Sequence, residues 1–235
     1  MKIDFRVLIQ FSAFLVLAGG VSVFAQQPSV PERVAALKAT VAASQAVLRQ
    51  YEWIETTTIE LKGEEKSRRQ QRCYYGADGG IQKVDVSSTP EPEKRRGLRG
   101  RIAERKTEEL TDYMKAAVAL VKAYVPPDPA RLQAAKDAGK VSLDIVEPGK
   151  RIRLNFRDYQ KTGDVLGVEV DLANNRALAL KVSSHLDDAA DAVNLNVRMG
   201  QLNDGTSYPD AVVLEAKAKN LKVTVDHGGY RRTGN

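Results

Sequence analysis

The hydrophobic pattern changes period several times along the chain. Residues 31–50, PERVAALKATVAASQAVLRQ, put Val34, Leu37, Val41, Ser44 or Gln45, and Leu48 at helical spacing. Ser29 followed by Glu32 makes a capping-box pattern, and Pro31 suits a first turn, so a helix is predicted up to about Gln50. β-Branched and aromatic residues then take over in YEWIETTTIELKG, which fits a pleated surface and ends at Gly63. KSRRQQRCYYG leads into the turn Gly76–Gly80, and IQKVDVS resumes an alternation, which predicts a three-strand meander. Helical spacing returns from Ile102 to Val125, with Leu110, Met114, Ala117 or Val118, Val121 and Val125 on one face. Pro126-Pro127 stop that helix. Asp128-Pro129 opens a short third helix that Gly139 closes.

From Val141 onward the period is two. RIRLNFRDY alternates Ile152, Leu154 and Phe156 with arginines and Asn155. VSLDIVE, VLGVEVDL, ALALKV, VNLNVRMGQL, AVVLEAKAK and LKVTVDHGGYRR repeat the pattern, with turn residues such as Pro148-Gly149, Asn174-Asn175 and Asn203–Thr206 between them. Such clean alternation belongs to an antiparallel sheet with one wet face. About ten strands in one sheet should curl rather than stay flat. The fold class expected is α+β: a strongly curved antiparallel sheet, an unclosed half β-barrel, covered on its concave face by the amphipathic helices.

The first residues alter the context. Lys2 and Arg6 precede an apolar run from Val7 to about Gly19, and Val23 and Ala25 sit at −3 and −1 before Gln26. That is the layout of a cleavable secretory signal over residues 1–25, and it predicts a periplasmic protein. No cysteine follows the run, so no lipid anchor is expected. Residues 26–235 then form a single domain, expected to be monomeric. The formal net charge is +6. Export makes nucleic acid an unsuitable partner and leaves lipid headgroups or acidic envelope polymers as the polyanions to be met. The densest basic cluster, Lys94, Arg95, Arg96, Arg99 and Arg101, lies in the linker-like insert 87–101, where two prolines and two glycines oppose regular structure.

Catalytic signatures are missing. His185 and His227 are the two histidines, too few for an ordinary zinc site unless Asp187 and Asp188 join, and no metal or cofactor is expected. Ser183-Ser184-His185 is adjacency rather than triad geometry. No GxSxG, HExxH, P-loop or GxGxxG is present. An enzyme is not expected. Cys73, the single cysteine, reads as a small apolar core residue, and Trp53 as core or ligand contact.

Two stretches, YEWIETTTIELKGEEKSRRQQRCYYGADGG and NVRMGQLNDGTSYPDAVVLEAKAKNLKVTV, resemble the LolA/LolB-like bacterial lipoprotein-carrier superfamily in their order and pattern. The resemblance implies a half-closed barrel with an apolar cavity for a lipid or lipoprotein acyl chain. The cavity would be lined by Trp53, Ile59, Leu61, Ile152, Leu154, Phe156, Val168 and Val170. The basic insert and the long second helix depart from the carriers, and either could plug the cavity. The alternative is an envelope scaffold whose basic loop docks acidic partners.

Overall fold

The computed structural model describes residues 30–89 and 98–233. Its elements run α1 (Val30–Leu48), β1 (Tyr51–Leu61), β2 (Glu64–Tyr75), β3 (Ile81–Ser88), α2 (Leu98–Lys122), α3 (Pro129–Asp137), β4 (Val141–Glu147), β5 (Arg151–Arg157), β6 (Val165–Asp171), β7 (Arg176–His185), β8 (Ala192–Gln201), β9 (Ser207–Ala216) and β10 (Leu221–Arg232). The expected signal sequence and the expected Ser29 cap lie outside the described residues. No described helix is long and apolar enough to cross a membrane.

All ten strands form one antiparallel, unclosed sheet in the order β3-β2-β1-β10-β9-β8-β7-β6-β5-β4. Two meanders are joined where β10 returns beside β1, with Ile59 opposite Val223 and Leu61 opposite Leu221. The strand alternation turns one face into continuous apolar rows. One row crosses Phe156, Leu166, Val182, Leu195, Leu214, Val223 and Ile59. A parallel row crosses Leu154, Val168, Leu180, Val197, Val212 and Val225. α2 lies over β8 and β9, and α3 over β5. Ala117, Val121, Tyr124 and Ala135 complete the core with these rows.

The second helix differs from the sequence expectation at both ends. It begins at Leu98, inside the stretch read as linker, and β3 extends through Ser88 at the other side. Val125 is exposed, and Tyr124, with no exposed surface, fills the place expected for it. The helix stops at Lys122, so the turn that follows rotates Tyr124 onto the sheet. There the Tyr124 hydroxyl donates to Asp164 and lies 2.9 Å from Ser184 Oγ. Asp164 also accepts the backbone N–H groups of Tyr159, Gln160 and Lys161, which closes the loop 158–164. Asp128 caps α3 by accepting from Ala130 N. α1 packs on β7 and β9, where Ser44 Oγ accepts from Ser207 N.

Candidate ligand-binding face

The helix-covered face is filled at its centre and open at one end. Under α2 the side chains are tight: Ala117, Leu166 and Val193 have no exposed surface and Val182 has 1 %. Beyond the helices the same face continues onto β4. Val141 is opposite Phe156, Leu143 opposite Leu154 and Ile145 opposite Ile152, so these side chains share the core side of the sheet. Yet Leu143 is 55 % and Ile145 67 % exposed, while Phe156 is 8 % exposed. Ile152, Leu154 and Val168 are half-buried between these limits, and Val170 is buried.

The expected lining residues therefore fall into three places. Ile152, Leu154, Val168 and Val170 are brought together on β5 and β6, with Phe156 at their covered edge. Ile59 joins the core from the far side of the sheet, and Leu61 is half-buried near the end of β1. Trp53 is separate: its ring stacks on Tyr230 at 5.7 Å and 16°, with Tyr75 also at 5.7 Å. Tyr208 lies 4.4 Å from Tyr230 and completes this aromatic cluster. Tyr208 sits over Gly200, where a Cβ would come within 2.7 Å of its ring. A glycine is required there for the ring to lie on the backbone.

Beside the aromatic cluster lies an ion cluster around the buried Glu55 that was not legible as a site in the sequence. Glu55 is 7 % exposed and bonds Lys83 Nζ at 2.6 Å, with His227 Nε2 at 3.4 Å. The His227 hydrogen bond, opposed by burial and helped by Lys83, holds the Glu55 carboxyl down at about 2. The signal was available: Glu55 interrupts the row Tyr51, Trp53, Thr57, Ile59 and Leu61 on one face of a strand. Cys73, opposite both Trp53 and Lys83, is fully buried, and burial pushes its thiol up. A buried, protonated thiol packs as an apolar group.

The remaining candidates are placed as follows. Ser184 is bonded to Tyr124, and its neighbour His185 has Nδ1 3.0 Å from Leu186 O. Successive strand residues point to opposite faces, so Ser184 and His185 form no dyad. Among the described residues no group of three or more His, Cys, Asp or Glu side chains could hold a metal ion. Lys94, Arg95 and Arg96 lie outside the described residues. Arg99 falls in the first turn of α2, and Arg101 is exposed on that helix. The arginines of RRQQR are paired within the chain: Arg68 with Glu65, Arg69 with Asp85, and Arg72 within 4.0 Å of Glu52. The arginine face of β5 is likewise neutralised, Arg153 by Glu169 and Arg151 by Glu147. The outer face of these strands is thus a mixed ion-pair lattice.

No family model matches the chain, and no curated protein matches it. Among solved structures it is similar to a LolA superfamily protein from Nitrosomonas europaea, at 8% identity and a TM-score of 0.32, over 83% of this chain and 94% of that one. It is similar to a DUF1329 family protein from Desulfovibrio piger at 9% identity and a TM-score of 0.32, over 85% and 92%. The MucA/MucB complex of Pseudomonas aeruginosa matches at 10% identity and a TM-score of 0.21, over 85% and 98%.

Proposed function

We propose that the protein is an exported, non-catalytic binder that holds a lipid acyl chain against the open end of its apolar sheet face. The carrying observation is that Leu143 and Ile145 are more than half exposed while sharing face and register with the buried core. Apolar strips on soluble proteins are kept small unless they meet a partner. An acyl chain laid along Leu143, Ile145, Ile152, Leu154 and Val168 gains about 25 cal/mol for each Å² of apolar surface removed from water. The bound chain needs no reacting group, in keeping with a strip that carries none.

Titration with a dansyl-labelled fatty acid tests the reading. Saturable enhancement is expected for the wild type, with affinity falling at least tenfold in Ile145→Glu and Ile152→Glu, about 1.4 kcal/mol or more. Both positions lie outside the packed centre, so circular dichroism should stay native. No uptake by the wild type, or equal uptake by all three proteins, contradicts the proposal.

One observation favours a scaffold instead: the centre under α2 is packed solid by Tyr124, Leu166 and Val182. In that reading the chain binds no lipid and its basic segment docks an acidic envelope component. Charge reversal at Arg95, Arg96 and Arg99 would then abolish docking, whereas acyl uptake would survive it in the binder.

A further inference from the structure

β4 is the last strand at one edge of the ten-stranded sheet. Arg157 N donates to Lys140 O, so Lys140 and Arg157 form a hydrogen-bonded pair of the antiparallel ladder. Bonded pairs recur every second residue, which makes Ser142 with Asn155 and Asp144 with Arg153 the next two. The backbone N–H and C=O groups of Val141, Leu143 and Ile145 therefore point away from β5, to the side where the sheet order ends.

The two sheet edges differ in how they are guarded. β3 is interrupted by a bulge at Val86, between the Gln71–Asp85 and Gln70–Ser87 pairs, and carries Lys83 and Asp85. Bulges and charges are the usual devices against edge pairing. β4 has its bulge only near its end, at Val146 between the Ile145–Ile152 and Glu147–Arg151 pairs, and runs unbroken from Val141 to Ile145 with no proline and no basic residue. Its one charge in that span, Asp144, already accepts from Asn155 Nδ2 at 2.7 Å. Such an unguarded apolar edge is a template for another strand.

The sequence of the edge is complementary to itself. We infer that two copies join β4 to β4 in antiparallel fashion about a two-fold axis at Leu143, in place of the monomer expected from the sequence. That register sets Leu143 opposite Leu143 of the second copy and Val141 opposite Ile145. The outward backbone groups of those residues then bond reciprocally. On the other face Ser142 stands opposite Asp144, a hydroxyl against a carboxylate, and no like charges meet. The exposed Leu143 and Ile145 gain cross-strand apolar neighbours, each such pair being stabilising. The interface is isologous and closes as a dimer. It does not rest on the acyl-binding proposal, and its readout is mass rather than ligand.

Analytical ultracentrifugation of the purified protein over the micromolar range tests it. Twice the chain mass is expected for the wild type and for Val84→Lys, a control on the opposite edge strand. Leu143→Lys, which sets like charges face to face at the axis, should sediment as a folded monomer, as should Ile145→Lys. Leu143→Cys should form an intermolecular disulfide on mild oxidation. Cα atoms of a hydrogen-bonded pair are about 5.5 Å apart, within disulfide reach, and Cys73 is buried and does not compete. A wild type that sediments as a monomer throughout, a dimer that survives both β4 lysine variants, or a Leu143→Cys protein that fails to cross-link would each overturn the inference.

Discussion

Asp164 has no exposed surface, and the Tyr124 hydroxyl and the backbone of Tyr159, Gln160 and Lys161 all donate to it. Removing it strands those donors in the interior, so Asp164→Ala should cost about 3 kcal/mol or more in urea unfolding. Tyr124→Phe removes one partner and should cost about 1–2 kcal/mol. Burial, with Asp164 beside it, pushes the Tyr124 phenol above its ordinary value, so the hydroxyl stays a donor at neutral pH. Glu55 makes the pH prediction. Its carboxyl is lowered from 4.5 to about 2, so between those values the unfolded chain binds the extra proton and stability rises with pH. The contribution is complete above 4.5 and is lost as pH falls through about 2. Glu55→Gln should flatten this acid limb, by about 3 kcal/mol, in denaturation midpoints measured across that window. At this scale the sequence was least legible. Cys73 was read as a packing residue and is buried, and Trp53, read as core or cavity lining, is buried too, but Glu55 meets His227 and Trp53 meets Tyr230 only through the pairing of β1 with β10.

The elements were more legible than the contacts between them. Alternation is a local property, and strands such as Arg151–Arg157 and Ala192–Gln201 follow it residue by residue. Nothing local says that β10 lies beside β1, since that choice depends on the closing of a path through the whole chain. The start of α2 was hidden for a different reason. Gly97, Gly100 and the nearby prolines argue against helix, yet the helix runs from Leu98, because propensity is a weak prior against packing further along. Tyr124 was missed because the helical period was extended past Lys122. Local stability should follow cover. β3 has every residue exposed, whereas β7 and β8 carry the fully packed Val182 and Val193. Amide hydrogen exchange should be fastest in β3 and slowest in β7 and β8. Equal protection in β3 would show that something covers that edge.

Across the molecule, charge and apolar surface play different parts. The outer face is neutralised pair by pair, as in Arg198 with Asp210 at 2.6 Å, where the arginine side chain is 67 % exposed. Exposed pairs contribute little, so Arg198→Ala should shift the unfolding free energy by less than about 1 kcal/mol. The apolar face carries the stability at its centre and the proposed binding at its open end. The antiparallel sheet and the apolar face of its strands could be read from the chain. Its open end could not, because Leu143 and Ile145 look like any inward pair until the extent of α2 and α3 is known. The central claim is that an acyl chain lies on this strip, and native mass spectrometry of the protein purified from an exporting bacterial host tests it most directly. A population heavier than the bare chain by the mass of a lipid is expected, and its loss in Ile145→Glu and Ile152→Glu. A wild-type protein that is lipid-free as purified, and remains so after incubation with fatty acid, would contradict it.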